Sequence, residues 1–155
     1  MRLITLVTLL MLSTFTRAGN AIDQLLNTEP SPFGVVFEIV ESDGEALDQL
    51  IPEIQGYVRQ LRTRHPKIEI AVVSHGSEQF ALTRDNRNNN TEVHKQVQSL
   101  VENSDVPVHV CGTHASWFGV EPEDFPDYVD VVSRGPGQVR QYVELGYELI
   151  ILSQD

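Results

Sequence analysis

Five short and nearly continuous apolar runs alternate with segments of helical periodicity along this chain of 155 residues. The runs lie at residues 33–40, 68–74, 106–111, 129–132 and 147–152. A strand with one face in water alternates polar and apolar side chains, whereas a continuous apolar run is typical of a strand covered on both faces. The pattern therefore predicts one α/β domain, a three-layer α/β/α sandwich with a mostly parallel five-stranded sheet.

Helices are predicted between these runs from the spacing of apolar residues. The longest has apolar side chains at helical spacing from Leu47 to Leu61, and Ser42 with Glu45 before it matches a capping box. Pro52 either belongs to the first turn of this helix or kinks a longer one. Further helices are expected at 91–103, at 114–118 and from residue 135, and the polar run at 84–90 is expected to be a mobile loop.

The first 18 residues have the pattern of a secretory signal peptide. A basic start precedes an apolar run at 3–12, and the small residues around Ala18 form a cleavage site. The run is too short for an ordinary membrane span, and an uncleaved N-terminal anchor is the alternative. We therefore expect a signal peptide at 1–18, a mobile lead-in at 19–32 with a helical turn at 21–26, and the folded domain at 33–155. The protein would be periplasmic or otherwise exported.

The net charge of the chain excludes some classes of binding partner. It carries 11 Lys and Arg against 22 Asp and Glu, a net charge of −11 with histidine neutral. Cleavage of the signal peptide would remove Arg2 and Arg17 but no acidic residue, so the mature chain would be more acidic still. Such a protein repels nucleic acid and anionic lipid, and we expect neither as a partner beyond the export step.

The carboxyl ends of the predicted strands collect polar residues at one edge of the sheet. Right-handed crossovers bring these ends together, and open α/β sheets bind their ligands at that edge. The residues expected there with binding or reactive groups are His75, Cys111, Gly112, Thr113, His114 and Arg134.

Cys111 is the single cysteine, so it cannot form a disulfide within the chain. It follows an apolar strand and precedes a helix start, where backbone N–H groups and the neighbouring His114 favour a thiolate. The alternative is an inert core cysteine that packs like a small apolar residue. The position makes Cys111 and His114 the candidate catalytic residues.

The other residues at this edge are candidates for substrate binding. Gly112 lets a substrate approach the backbone closely, and Thr113 follows it at the helix start. Arg134 either binds an anion or forms a surface ion pair with one of the many carboxylates. His75 either takes part in the chemistry or bonds its own backbone in the turn.

Three further residues are interpreted mainly as packing residues. His109 is expected to be a core histidine with satisfied hydrogen bonds, although with Cys111 and His114 it offers three metal ligands. That spacing matches no established zinc pattern, so we expect no metal. Trp117 and Phe118 are expected in the core or at its rim, with an apolar patch for a partner as the alternative. No cofactor is expected, since Gly-rich phosphate loops, nucleophile elbows and dinucleotide fingerprints are absent from the sequence.

The order of the segments resembles the DsrE/DsrF-like sulfur-relay family. The resemblance covers residues 33–152 and is carried by the stretches 67–76, 106–113, 131–135 and 141–147. It implies a three-layer α/β fold and homo- or hetero-oligomers, often trimers or hexamers. It also implies a persulfide-carrying cysteine after the third strand, the position of Cys111, while His75 and Thr113 match recurrent family positions.

Together these observations predict an exported sulfur carrier that is a homo-oligomer, a trimer or a hexamer. Cys111 would accept a sulfane sulfur and pass it on, with sulfur donor and acceptor proteins or small sulfur compounds as partners. This chemistry is expected to use a docking surface rather than a deep pocket. The alternative is a non-enzymatic oligomeric binding or assembly protein of the same fold in which the cysteine is inert.

Overall fold

The computed structural model describes residues 17–154, and these form five strands and five α-helices in near-alternation. The strands are β1 (Gly34–Ile39), β2 (Glu69–Ser74), β3 (Val108–Cys111), β4 (Asp130–Val132) and β5 (Tyr147–Leu152). The helices are α1 (Arg17–Leu26), α2 (Ala46–Arg64), α3 (Thr91–Ser104), α4 (Gly112–Trp117) and α5 (Gly135–Glu144). Short 3₁₀ helices follow β2 at Ser77–Leu82 and precede β4 at Pro122–Asp124.

All five strands are parallel and lie in the order β4-β3-β2-β1-β5. Alternate side chains of each strand face opposite layers, because the side-chain period of a strand is two. One layer contains α1, α2 and α3 and encloses the larger core around Phe37, Leu50 and Val97. The other layer is α5, which closes a smaller core with Val36 and Val73. The predicted three-layer α/β/α sandwich is therefore confirmed, with a sheet that is fully parallel.

The segment before β1 is more ordered than the sequence indicates. Instead of one helical turn, α1 spans ten residues and buries Ala18, Ile22 and Leu25 in the larger core. The predicted cleavage site after Ala18 falls within this helix, and residues 1–16 of the predicted signal peptide lie outside the described residues. Within the part of the chain that the structure describes, no helix is both long and apolar enough to span a membrane.

The start of α2 differs from the predicted capping box. The helix begins at Ala46, and the Glu45 that precedes it makes no side-chain capping bond. The Asp43 carboxylate, rather than Ser42, accepts the Glu45 N–H at 2.9 Å. The predicted capping box is wrong because the chain makes a further turn before the helix begins. Pro52 lies inside α2, beyond its first turn.

Two buried histidines connect different secondary-structure elements through side-chain hydrogen bonds. The His109 Nδ1–H donates to the Asp130 carboxylate at 2.7 Å, and its Nε2 accepts the Tyr142 hydroxyl at 2.8 Å, which joins β3 to β4 and α5. His94 of α3 donates from Nε2 to the Ala81 carbonyl at 3.0 Å and bonds the Tyr128 hydroxyl through Nδ1. The prediction that His109 is a satisfied core histidine is confirmed.

Burial lowers the pKa of both His94 and His109 below the ordinary value of 6.5. The imidazolium loses its hydration on burial, and for His109 this outweighs the opposing effect of the Asp130 carboxylate. In the unfolded chain both imidazoles take up a proton near pH 6.5, whereas the folded chain resists protonation. The stability that depends on the neutral rings is therefore complete above that pH and is lost as the pH falls towards the lowered values.

We expect the free energy of unfolding, measured by urea denaturation, to fall as the pH is lowered from about 7.5 to about 5.5. His109→Gln removes one of the two rings whose pKa burial lowers, so the variant should show a shallower pH dependence. Protonation of carboxylates affects both proteins alike, which makes the difference between their slopes the informative quantity. Identical slopes would contradict the assignment of His109 as a neutral buried ring.

Candidate functional site

The carboxyl ends of β1 to β4 surround a cleft of about 640 Å³. Of the six residues predicted at this edge, the structure brings five to the cleft wall: His75, Cys111, Thr113, His114 and Arg134. Gly112 is not among the lining residues, and a Cβ there would be 3.1 Å from the Val132 carbonyl oxygen. This glycine allows close packing of α4 on β4, and its predicted role in giving a substrate access to the backbone stays a prediction.

Cys111 ends β3 and caps the N-terminus of α4. Its Sγ accepts the His114 backbone N–H at 3.4 Å, as expected for a thiol at a helix start. The residue is only 5% exposed, yet it lines the cleft. The residue is therefore shielded over most of its surface, and the cleft is the side from which its thiol would be reached.

Gln79 holds the backbone of Cys111 in place. Strand β2 ends at Ser74, opposite Val110, so Cys111 has no strand partner on that side. The fully buried Gln79 side chain takes its place, since Oε1 accepts the Cys111 N–H at 2.7 Å and Nε2 donates to the Cys111 carbonyl at 3.4 Å. On the other side Cys111 pairs with Val132 of β4. The thiol is thus presented from a backbone that is bonded on both sides.

Glu78 joins the carboxyl ends of the neighbouring strands β1 and β2. Its carboxylate is fully buried and accepts the Ser74 hydroxyl at 2.7 Å, the Gly76 N–H at 3.0 Å and the Glu41 N–H at 2.7 Å. Three donors compensate for the lost hydration of the carboxylate. Gly76 is required here, because a Cβ would collide with the Glu78 carboxylate and with the Glu41 backbone.

Glu78 and Gln79 are not among the predicted site residues, and they lie between the predicted strand at 68–74 and the predicted loop at 84–90. A signal was present, since two adjacent polar residues stand directly before the apolar residues 80–82. The structure makes these two the innermost polar side chains beneath the cleft.

The His114 ring is fixed by its neighbours. Its Nδ1–H donates to the His75 carbonyl at 3.0 Å, which leaves Nε2 as the free ring nitrogen. Phe80, Trp117 and Phe118 lie around the ring, with centroids 5.4, 5.7 and 5.3 Å away. The ring therefore has one defined tautomer and one defined position in the cleft wall.

Trp117 and Phe118 are not core residues. They are 74% and 63% exposed, since α4 is one short helix at the sheet edge and buries only Ala115. Trp117 lines the cleft, which agrees with the expectation of a position at the rim. Trp117 therefore contributes an apolar side chain to the cleft wall, and Phe118 lies against the His114 ring outside the lining.

His75 does not bond its own backbone, so that alternative is wrong. Its Nε2 lies 2.8 Å from a Glu38 carboxylate oxygen on the face covered by α5. A Cβ on Gly135 would collide with the His75 side chain, so the first residue of α5 rests directly on it. His75 thus positions α5 and, through its carbonyl, His114.

Arg134 and Thr113 complete the predicted residues of the cleft wall. Thr113 donates its hydroxyl to the Ser133 carbonyl at 2.6 Å and its N–H to the same oxygen at 3.1 Å, which fastens α4 to the end of β4. Arg134 precedes α5 and is exposed. It forms no ion pair with any carboxylate in residues 17–154, so the surface ion pair considered for it is not found there.

The metal alternative has no support in the geometry. Across the described chain, no group of three or more His, Cys, Asp and Glu side chains could hold a metal ion. Both ring nitrogens of His109 are engaged by Asp130 and Tyr142. The cleft wall thus combines a thiol, an imidazole and a guanidinium that has no carboxylate partner in the described part of the chain.

Comparison with known proteins supports the fold and no more. No family model and no curated protein matches the chain. Among solved structures, it is similar to the protein of unknown function MTH1491 from Methanobacterium thermoautotrophicum, with 24% identity over 77% of this chain and 99% of that chain and a TM-score of 0.60. It is also similar to the conserved protein of unknown function BT1422 from Bacteroides thetaiotaomicron, with 14% identity over 76% and 94% and a TM-score of 0.53. The chain therefore has the three-layer α/β fold of these structures.

We expect Gln79→Met to lower the free energy of unfolding by on the order of 2 kcal/mol, because it leaves the buried N–H and carbonyl of Cys111 without partners. Gln60→Met on the exposed surface of α2 is the matched control, and it should change stability by less than about 0.5 kcal/mol. Chemical denaturation of the two variants measures the difference. Equal effects would show that Gln79 does not hold the Cys111 backbone.

Proposed function

We propose that this protein is an exported sulfur carrier that holds a sulfane sulfur on Cys111 as a persulfide. The observation that supports this most strongly is the thiol at the wall of a cleft that also contains His114 and Arg134. The proposed donors and acceptors are proteins or small sulfur compounds. The export component depends on the pattern at residues 1–18.

The transfer step requires only the thiolate and a donor. The Cys111 thiolate attacks the outer sulfur of a donor persulfide R–S–SH, and the new S–S bond forms as the donor S–S bond breaks. The donor leaves as the thiolate RS⁻ with the electron pair, and Cys111 becomes Cys–S–SH. An acceptor thiolate then removes the outer sulfur by the same exchange and restores the Cys111 thiolate.

The surroundings of Cys111 suit this chemistry. The His114 N–H at 3.4 Å from Sγ stabilises negative charge on the sulfur. Arg134, which has no carboxylate partner in residues 17–154, lines the cleft and provides a positive charge for an anionic donor. The low exposure of the thiol limits its contact with other oxidants, which is useful for a persulfide that must survive between donor and acceptor.

Reduced protein incubated with a small persulfide donor should gain the mass of one sulfur atom, measured by intact-mass spectrometry. Cys111→Ser should gain none. A reducing agent should return the wild-type mass to its starting value, since persulfide formation is reversible. No mass gain in the wild-type protein, or an equal gain in Cys111→Ser, would contradict the carrier function.

A second candidate function is an oligomeric binding or assembly protein with an inert cysteine. The specific observation that favours it is a group of exposed apolar side chains at the edge of the sheet, on the face that α5 covers elsewhere. The edge strand β5 exposes Leu149 and Ile151 at 41% and 61%, and Leu145 beside them is 66% exposed. An exposed edge strand with apolar side chains is a site of self-association. The same surface would serve the homo-oligomer, a trimer or hexamer, that we propose for the carrier.

The double variant Leu149→Lys with Ile151→Lys should reduce the wild-type mass in solution to that of a monomer, measured by light scattering after size exclusion. Lysines in an apolar contact would be buried without partners. Phe118→Lys, which changes a similarly exposed apolar residue at the end of α4, is the control and should leave the mass unchanged. A wild-type monomer at tens of micromolar would contradict an oligomer through β5.

A further inference from the structure

The cleft over Cys111 has the shape and lining of a small-molecule site. We propose that it binds an organic anion with an apolar body, and that the sulfur donor is an organic thiosulfonate rather than inorganic thiosulfate. The assignment of this ligand as the donor rests on the carrier function proposed above. The binding of such an anion can be tested separately from the transfer of sulfur.

The size of the cleft argues against a very small ligand. Its volume of about 640 Å³ lies within the range of roughly 300–1,000 Å³ that is typical of sites for drug-sized molecules. Inorganic thiosulfate would leave most of it filled with water. The concavity also differs from the docking surface expected from the sequence, because the thiol lies at the wall of a recess.

The apolar wall of the cleft has no other explanation in the fold. Trp117 and Val40 line it while 74% and 51% exposed, and Pro136 beside them is also exposed. The ring that contacts Trp117 is His114, and the indole has no place in the core. Covering these side chains with an apolar ligand would remove their surface from water, which favours binding.

The charge at the cleft determines the sign of the ligand. Arg134 is the one Lys or Arg among the lining residues, and it is unpaired within residues 17–154. The Glu41 carboxylate also lines the cleft and keeps its charge, but one of its oxygens is engaged by the Gln154 N–H at 2.9 Å, so the Arg134 guanidinium is the charged group left to bind a ligand. A sulfonyl group suits a guanidinium, because its oxygens can accept two parallel N–H bonds. The apolar wall and the Arg134 guanidinium together favour an anion with an apolar body.

The proposed step is balanced without a further reactant. The Cys111 thiolate attacks the terminal sulfur of a thiosulfonate R–SO₂–S⁻, which forms the S–S bond of the persulfide anion Cys–S–S⁻. The bond between that sulfur and the sulfonyl group breaks, and the sulfinate R–SO₂⁻ leaves with the electron pair. Arg134 would hold the sulfonyl oxygens in the donor and in the departing sulfinate.

Trp117 provides a direct binding assay, since it is the single tryptophan of the chain. Hexanesulfonate, an unreactive mimic, should change its fluorescence in a saturable way in both the wild-type protein and Cys111→Ser. Methanesulfonate lacks the apolar body and hexanol lacks the charge. Each should bind at least about 10-fold more weakly than hexanesulfonate. Arg134→Gln should weaken hexanesulfonate binding by about 10-fold or more. Arg140→Gln, an exposed α5 residue outside the cleft lining, should not.

Equal responses to hexanesulfonate and hexanol, or no loss in Arg134→Gln, would overturn the proposed ligand class. Sulfur uptake from hexanethiosulfonate and from inorganic thiosulfate, followed by intact mass, separates the two proposals. Binding of hexanesulfonate with sulfur uptake from the persulfide donor, but from neither of these two, would contradict the thiosulfonate donor alone. Binding without uptake from any of the three donors would contradict the carrier function. Uptake from thiosulfate at least as fast as from hexanethiosulfonate would contradict the organic donor alone.

Discussion

The site depends on the hydrogen bonds that close the sheet where its parallel strands end. Such strands end unevenly, and the backbone groups beyond the last pair need other partners in a buried edge. Glu78 and Gln79 supply them. The first binds the ends of β1 and β2 through three donors, and the second binds both backbone groups of Cys111. Without the Glu78 and Gln79 side chains, the residues that follow these strands would lack the hydrogen bonds that fix their positions at the cleft.

The carrier function that we propose requires a mostly buried cysteine that can still react. The backbone of Cys111 is held on both sides, its sulfur accepts a hydrogen bond at a helix start, and the residue lines the cleft. Arg134 lines the same cleft and carries a positive charge. A thiol so placed would react with molecules that fit the cleft and would be shielded from those that do not.

The fold could be predicted from the sequence because continuous apolar runs and helical spacings are local signals. The same logic located five residues of the cleft, since strand ends of a parallel sheet must converge. What could not be predicted was non-local. The partner of the Cys111 backbone is a glutamine 32 positions earlier, the exposure of Trp117 follows from the shortness of α4, and α1 is stabilised by a core that its own sequence does not reveal. Ser42 matched a capping pattern, but the extra turn gave the bond to Asp43.

The central claim, that Cys111 is reached through the cleft of the folded protein, is tested most directly by its rate of alkylation by iodoacetamide at urea concentrations below the unfolding transition. If the thiol is open to the cleft, the rate should be measurable without urea and nearly independent of urea throughout this range. If the thiol is sealed, alkylation requires opening of the fold, and the logarithm of the rate should rise with urea along the slope of unfolding. That second result would contradict the account and leave the cysteine as a packing residue.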